Sequence, residues 1–342
     1  MAKKKGAPSF ECTECGWQTV KWVGRCPECQ AWGTVEEKGQ VTARTTAASS
    51  LAQPAKAIHD VDSSLASFRA TSIGELDRVL GGGLVPGAVI LMAGEPGVGK
   101  STLLLQVASS VAKAHPEQPV LYLTGEESAA QVKKRAERIG AITDGLYLAA
   151  ESDLGQALGQ VEETGAEAGG PQLTIMDSVQ TFSSAAVDGA AGGVTQIREV
   201  TASMIEAAKR KNMTTILVGH VTKDGNIAGP RMLEHLVDVV CQFEGDRHSR
   251  LRLLRAVKNR YGPTDDVGCF DLNEDGLTSL ADPSGLFVSA LTDRVPGTCI
   301  TITLEGRRPL TAEVQALVAE SQASQPRRAV SGLDSPRVSM LL

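Results

Sequence analysis

Aromatic side chains make up only 4% of the 342 residues, and no stretch approaches the about 18 consecutive apolar residues that a membrane-spanning helix needs. Nor is there an apolar signal segment, since Met1-Ala2-Lys3-Lys4-Lys5-Gly6 runs into polar and Cys-rich sequence. A cytoplasmic protein without a membrane partner is expected, in a compartment where thiols stay reduced. Cationic excess is missing as well: Lys+Arg 34 against Asp+Glu 40 gives a net charge of −6. That excludes a uniformly basic nucleic-acid binder unless the positive charge is locally concentrated. What remains, 42% hydrophobic and 22% charged residues, is a globular composition with length for about two domains and linker.

The seven cysteines are unevenly placed. Cys12-x2-Cys15-x10-Cys26-x2-Cys29 sets two thiolate pairs on two tight turns, each able to fill two corners of a tetrahedron around Zn²⁺. So short a unit buries too little apolar surface to fold alone, whereas structural zinc supplies about 10–16 kcal/mol coupled to folding. Four cysteine ligands leave no open position for catalysis. Trp17, Trp22, Trp32, Lys21 and Arg25 suit stacking on nucleic acid, and serve equally well as the miniature core of a zinc ribbon. Cys241, Cys269 and Cys299 fall in apolar runs and read as small buried hydrophobes.

Composition divides the chain into a ribbon over 10–37, an Ala/Ser/Thr/Gln linker over 38–70, an α/β body over 71–282 and a further unit over 283–342. In the body the apolar runs Ala88–Ala93, Val120–Thr124, Leu173–Met176 and Thr214–Gly219 alternate with helical segments, which predicts a mostly parallel sheet. Val194–Lys211 predicts a helix with Val194, Ile197, Val200, Met204 and Ile205 on its core face. The later runs Val237–Phe243, Leu251–Val257 and Val267–Leu272 predict antiparallel strands at a sheet edge, and Ile300–Leu304 a strand of the last unit.

Gly94-Glu95-Pro96-Gly97-Val98-Gly99-Lys100-Ser101, with Thr102 following, matches the P-loop pattern directly after one of these strands and before a helix. Glycines let backbone N–H groups converge on phosphates, the helix N-terminus adds positive potential, and Lys100 neutralises the β/γ oxygens. Ser101 would place its hydroxyl on Mg²⁺, and Asp177, at the end of Leu173–Met176, would stand beside the ion's water shell. Glu126 and Glu127 follow the strand Val120–Thr124. Glu126 is the favoured base for the water that attacks the γ-phosphate of ATP, with Glu127 the second candidate; the alternative for both is a helix N-terminal role near Ser128.

Together with the zinc ribbon, Gly74-Glu75-Leu76-Asp77-Arg78-Val79-Leu80-Gly81-Gly82-Gly83, Gly125-Glu126-Glu127-Ser128 and Lys258-Asn259-Arg260-Tyr261-Gly262 resemble the RadA (Sms) family of bacterial DNA repair proteins. Tyr261 replaces that family's usual Phe and keeps the ring. The resemblance implies a RecA-like, DNA-dependent ATPase that forms a hexameric ring and processes branched recombination intermediates by branch migration on single-stranded and branched DNA, with a RecA-type recombinase or replicative helicase as partner. Lys258 and Arg260, two positions apart on a strand, project to one side and would reach a neighbour's γ-phosphate or else the DNA backbone. The run Arg247, Arg250, Arg252, Arg255, Lys258, Arg260 concentrates positive charge. Phe182–Gly193 and Lys223–Arg231 are candidate DNA loops, and His220 a γ-phosphate sensor or a structural histidine. Glu305-Gly306-Arg307-Arg308-Pro309-Leu310 resembles the start of that family's Lon-protease-like domain, for which the remaining residues are too few. The rival readings are a replicative-helicase-like ATPase and a nucleotide-switched scaffold that recruits a recombinase.

Overall fold

A computed structural model describes residues 10–37, 55, 57–63, 66–220, 232–245, 249–286, 296–320, 322 and 327–342. The candidate DNA loop Lys223–Arg231 and the basic residue Arg247 lie outside the described residues. Two compact units are present, within Met1–Val61 and within Asp62–Leu342.

The first unit is a three-stranded antiparallel sheet of β1 (Phe10–Cys12), β2 (Gln18–Thr19) and β3 (Val35–Glu37), in the order β2-β1-β3. Buried Cys12, Cys26 and Val35 pack with Phe10, Trp17 and Val23. An apolar core this small cannot hold a fold by itself, so the thiols must contribute through metal.

The second unit begins with α1 (Gly74–Leu80) and β4 (Val89–Gly94), then α2 (Lys100–Ala114), β5 (Val120–Thr124), α3 (Ala129–Arg138) and β6 (Leu146–Ala150). It continues through α4 (Leu154–Glu163), β7 (Leu173–Asp177), α5 (Val194–Lys211), β8 (Thr214–His220), α6 (Met232–Leu236) and β9 (Val239–Glu244). The chain then runs through β10 (Leu251–Asn259), β11 (Val267–Asn273), β12 (Gly276–Ser279), the pair β13 (Thr298–Glu305) and β14 (Arg308–Gln315), and α7 (Ser335–Leu341). One nine-stranded sheet, β12-β11-β10-β9-β4-β8-β7-β5-β6, organises the unit. From β9 to β6 every neighbour is parallel, whereas β9-β10-β11-β12 is an antiparallel meander.

This is the mostly parallel sheet that the alternation of apolar runs predicts, consistent with the RecA-like core that the family resemblance implies, with the meander forming one edge. Every residue of β4 is buried, as befits a central parallel strand covered on both faces. On one face α2 presents Leu103, Leu104, Val107, Ala108 and Val111 at helical spacing; on the other, α5 presents Ile197, Val200, Met204 and Ala208 and α4 presents Leu154, Ala157 and Val161. Val194 departs from the expected core face: it opens α5, where nothing covers it, and is exposed. Cys299 departs likewise, exposed on β13, while Cys241 and Cys269 are buried.

The β13–β14 hairpin is tied to the sheet by a buried ion pair. Arg308, 8% exposed, donates to the carboxylate of Glu75, 3% exposed, and to the carbonyls of Val267, Leu280 and Ala281. Glu75 in turn accepts the Cys269 N–H at 2.8 Å. Gly81, at φ +86°, lets the end of α1 approach Gly262, so two of the segments behind the family resemblance touch through their glycines.

Candidate active site and metal centre

Strand order places the chemistry. β4, β5, β7 and β8 are parallel neighbours within the sheet, so their C-terminal ends share one edge, where α/β sheets bind ligands. The P-loop follows β4, Glu126 follows β5, Asp177 ends β7 and His220 ends β8.

In the P-loop Gly97 (φ +83°) and Gly99 (φ +107°) adopt left-handed backbone that a side chain would strain, and α2 starts at Lys100 with Ser101 and Thr102 in its first turn. Gly94 is buried, Glu95 and Pro96 are exposed, and Val98 is buried. Lys100 Nζ donates to the Gly94 carbonyl at 2.7 Å and the Glu95 carbonyl at 2.8 Å. Burial brings its ammonium down to about 8, against the opposing pull of Asp177, Glu126 and Glu95. Lys100 therefore sits within electrostatic reach of both site carboxylates.

Asp177 accepts a 2.6 Å hydrogen bond from the hydroxyl of Tyr122, a fully buried residue of β5. Burial and the Asp177 carboxylate both push the Tyr122 hydroxyl well above the ordinary tyrosine range, so it stays a donor. Glu126 accepts from the Ser178 hydroxyl and meets His220 Nε2 at 2.9 Å. Burial alone would raise its carboxyl pKa, but Ser178, His220 and Lys100 outweigh burial and hold it below the usual range. Glu127 faces elsewhere, in a two-oxygen ion pair with Arg135 of α3. The N-cap of α3 is Ser128, in a capping box with Gln131. The helix N-terminal role weighed for the two glutamates thus belongs to Ser128, and only Glu126 faces Lys100.

Lys258 and Arg260 lie at the opposite end of the sheet. Lys258 pairs with Val240 of β9, which pairs with Leu91 of β4. Arg260 reaches the level of Val89, about 17 Å from Gly94 at ~3.4 Å per residue. Lys258 Nζ donates to the Glu234 and Val237 carbonyls, at 2.7 Å each. Arg260 Nη1 donates to Asp238 Oδ1 at 2.8 Å, and Asp238 also accepts the Val89 N–H and Lys209 Nζ, at 3.0 Å each. Neither cation can touch a phosphate held by its own chain's P-loop.

Among the described residues the rest of the basic run is not a free cationic stripe, and β10 is interior to the sheet. Arg250 pairs with Asp271, and Arg255 with Glu305 and Glu244. Arg252 is buried against Val98 of the P-loop. In Phe182–Gly193, Phe182 is core, and Gln196 pins Ser184, Val187 and Gly189 through its side-chain amide. Sequence reasoning overlooked Tyr122, Ser178 and Asp238, and placed Arg252 only in the basic run, not against the P-loop. The one available signal was an aromatic residue inside the otherwise aliphatic β5.

The four thiols of Cys12, Cys15, Cys26 and Cys29 have their sulfurs within 4.8 Å of one another, with Cys12–Cys29 and Cys15–Cys26 at 3.6 Å. A tetrahedron with Zn–S of about 2.3 Å has edges of about 3.8 Å, so the residues fit zinc. The ribbon carries five glutamates against Lys21 and Arg25, and four thiolates around Zn²⁺ add two further negative charges. Trp22 and Trp32 are 65% and 75% exposed, Arg25 resting over the Trp32 ring at 5.6 Å. They are not the miniature core; that role falls to Trp17.

Residues 54–226 match the AAA domain family and residues 10–37 the rubredoxin metal binding domain family. Over its whole length the chain is 52% identical to the DNA repair protein RadA of Mycolicibacterium smegmatis, covering 74% of that protein. The chain belongs to the RadA family of DNA repair proteins. RadA of Mycobacterium tuberculosis is 52% identical over 97% of this chain and 69% of its own, and RadA of Streptococcus pyogenes serotype M1 46% identical over 100% and 74%. Membership in the RadA family and the AAA domain together make the second unit a nucleotide-binding ATPase of DNA repair, preceded by a zinc site. Among the described residues no helix is long and apolar enough to cross a membrane.

Proposed function

We propose that this chain is a DNA-dependent ATPase of cytoplasmic recombinational repair that drives branch migration on branched and single-stranded DNA as a ring, hexameric by family resemblance. The reading divides it into a ribbon at 10–37, a linker at 38–70, the motor at 71–282 and the start of a Lon-like domain at 283–342. Gly94 to Thr102 bind the triphosphate, and Lys100 neutralises its β/γ oxygens. Ser101 and Asp177 would hold Mg²⁺, which when bound would offset charge on those oxygens. Glu126, ionised at neutral pH, accepts the proton of the attacking water. Ser178 and His220 aim its carboxylate, and Tyr122 aims that of Asp177.

The observation that carries the ring is the separation of Lys258 and Arg260 from their own P-loop. Cations placed there serve hydrolysis only from a neighbouring subunit, where such a group is worth about 10³–10⁵ in rate. The test is ATP turnover with and without single-stranded and branched DNA across a salt series, because phosphate-driven binding is strongest at low salt. Stimulation that fades with salt is expected; turnover indifferent to DNA at low salt would overturn the reading. Mixing K100A with R260A subunits should restore part of the activity that each lacks alone. A second reading, recruitment of a recombinase or helicase, draws on the acidic ribbon with its exposed Trp22 and Trp32, a surface suited to protein and not to phosphate.

A further inference from the structure

Arg252 stands on β10, two strands from the P-loop strand, and is 6% exposed. Its Nε donates to the Val98 carbonyl of the P-loop at 2.9 Å, and its Nη1 to the carbonyls of Ser249 at 2.6 Å and Leu251 at 2.9 Å. A guanidinium presents its donors in a rigid planar fork. Gripping carbonyls on two segments therefore fixes the distance and angle between them. The segments are the P-loop and Ser249–Leu251 at the start of β10.

In a trans peptide the C=O and the next N–H point in opposite directions. Holding the Val98 carbonyl against Arg252 turns the Gly99 N–H away from it, and P-loop N–H groups are the atoms that cradle phosphates. Gly245 completes the arrangement, because a Cβ there would overlap the Arg252 side chain from Cδ to Cζ.

We infer that Arg252 is a positioning residue for the nucleotide polyphosphate: it holds the Val98–Gly99 peptide in the phosphate-receiving orientation and joins it to the start of β10 at Ser249 and Leu251. This rests on the P-loop reading above and extends it to a side chain more than 150 positions away in sequence, at |i−j| = 154. Arg252 touches no substrate atom; it acts through the loop.

Two variants test it in the full chain. R252K keeps the charge and loses the fork. G245A keeps Arg252 and displaces it, with every native polar group retained. The readouts are equilibrium binding of a fluorescent ATP analogue, KM and kcat for ATP, and thermal melting. Both variants should weaken binding and raise KM about tenfold, the effect of losing a charge-assisted hydrogen bond. Turnover at saturation should stay within about twofold, because the chemistry is untouched. Wild-type binding by folded G245A would overturn the inference, as would a loss confined to kcat; G245A decides alone if R252K does not fold. Failure of the wild-type chain to bind the analogue would instead overturn the P-loop reading itself.

Discussion

Replacing Arg308 with Met should unseat the β13–β14 hairpin. Four hydrogen bonds end at this side chain: the Glu75 carboxylate and the carbonyls of Val267 at 3.0 Å, Leu280 at 2.7 Å and Ala281 at 2.6 Å. Removal leaves Glu75 buried with the Cys269 N–H and, at 3.6 Å, Arg78. Breaking a buried pair from one side costs about 3–5 kcal/mol, mostly for the charge left behind. In a unit of this size each kcal/mol moves Tm by about 2–4 °C, so scanning calorimetry should show a drop of about 6–20 °C. E75Q should cost less, since an amide still accepts from Cys269 and Arg308 keeps its three carbonyls. The E75M/R308M pair should cost less than the sum of the single changes, because neither charge is then stranded. An R308M loss below about 1 kcal/mol would refute the reasoning, since a buried carboxylate left with only the longer, half-exposed Arg78 contact cannot be that cheap.

Three further outcomes follow from the site. E126Q should retain ATP binding and lose turnover by about 10²–10⁴, and with this carboxyl held below its usual range, wild-type kcat/KM should show no Glu126 inflection between about pH 5 and 8; retained hydrolysis in a single-turnover assay defeats the assignment. Lys100 binds phosphate only as the ammonium, so ATP affinity should fall as pH rises through about 8, approaching about tenfold per unit above it; a dissociation constant flat to about pH 9.5 would count against it. Chelation of Zn²⁺, followed by loss of near-ultraviolet signal from Trp17, should unfold 10–37 while the second unit's thermal transition persists, because the two units are separately compact; coincident melting would contradict this.

Local patterns carry far in this chain. α5 begins and ends where the spacing of Ile197, Val200 and Met204 places it, and β4, β5, β7 and β8 lie within a residue of their apolar runs. Those elements declare themselves through period and punctuation, and the P-loop and cysteine pairs through chemistry confined to a few adjacent positions. β6 was missed because Leu146–Ala150 is half-buried and carries no strict alternation. Partners remote in sequence were illegible. Nothing near Arg252 distinguishes a side chain bound for Val98 from its neighbours bound for Asp271 and Glu305. The same holds for Glu75, whose counterion is 233 positions away. A charge run reads as a surface when its members are counted; strand pairing sends each one to a separate address.

The order of strands also sets the order of assembly on the ribosome. β4, the buried strand that leads into the P-loop, is the first strand of its sheet to be made, yet its flanking partners are β8 and β9. Val89 binds Asp238, 149 positions later, a wait of about 7–30 s at synthesis rates of about 5–20 residues per second. For most of that interval, until β8 (Thr214–His220) is made, an apolar hexapeptide has neither neighbour, and the nucleotide cradle follows an unpaired strand. ATP therefore cannot template the nascent chain, and protection of Val89–Gly94 during translation falls to whatever binds apolar segments as they emerge.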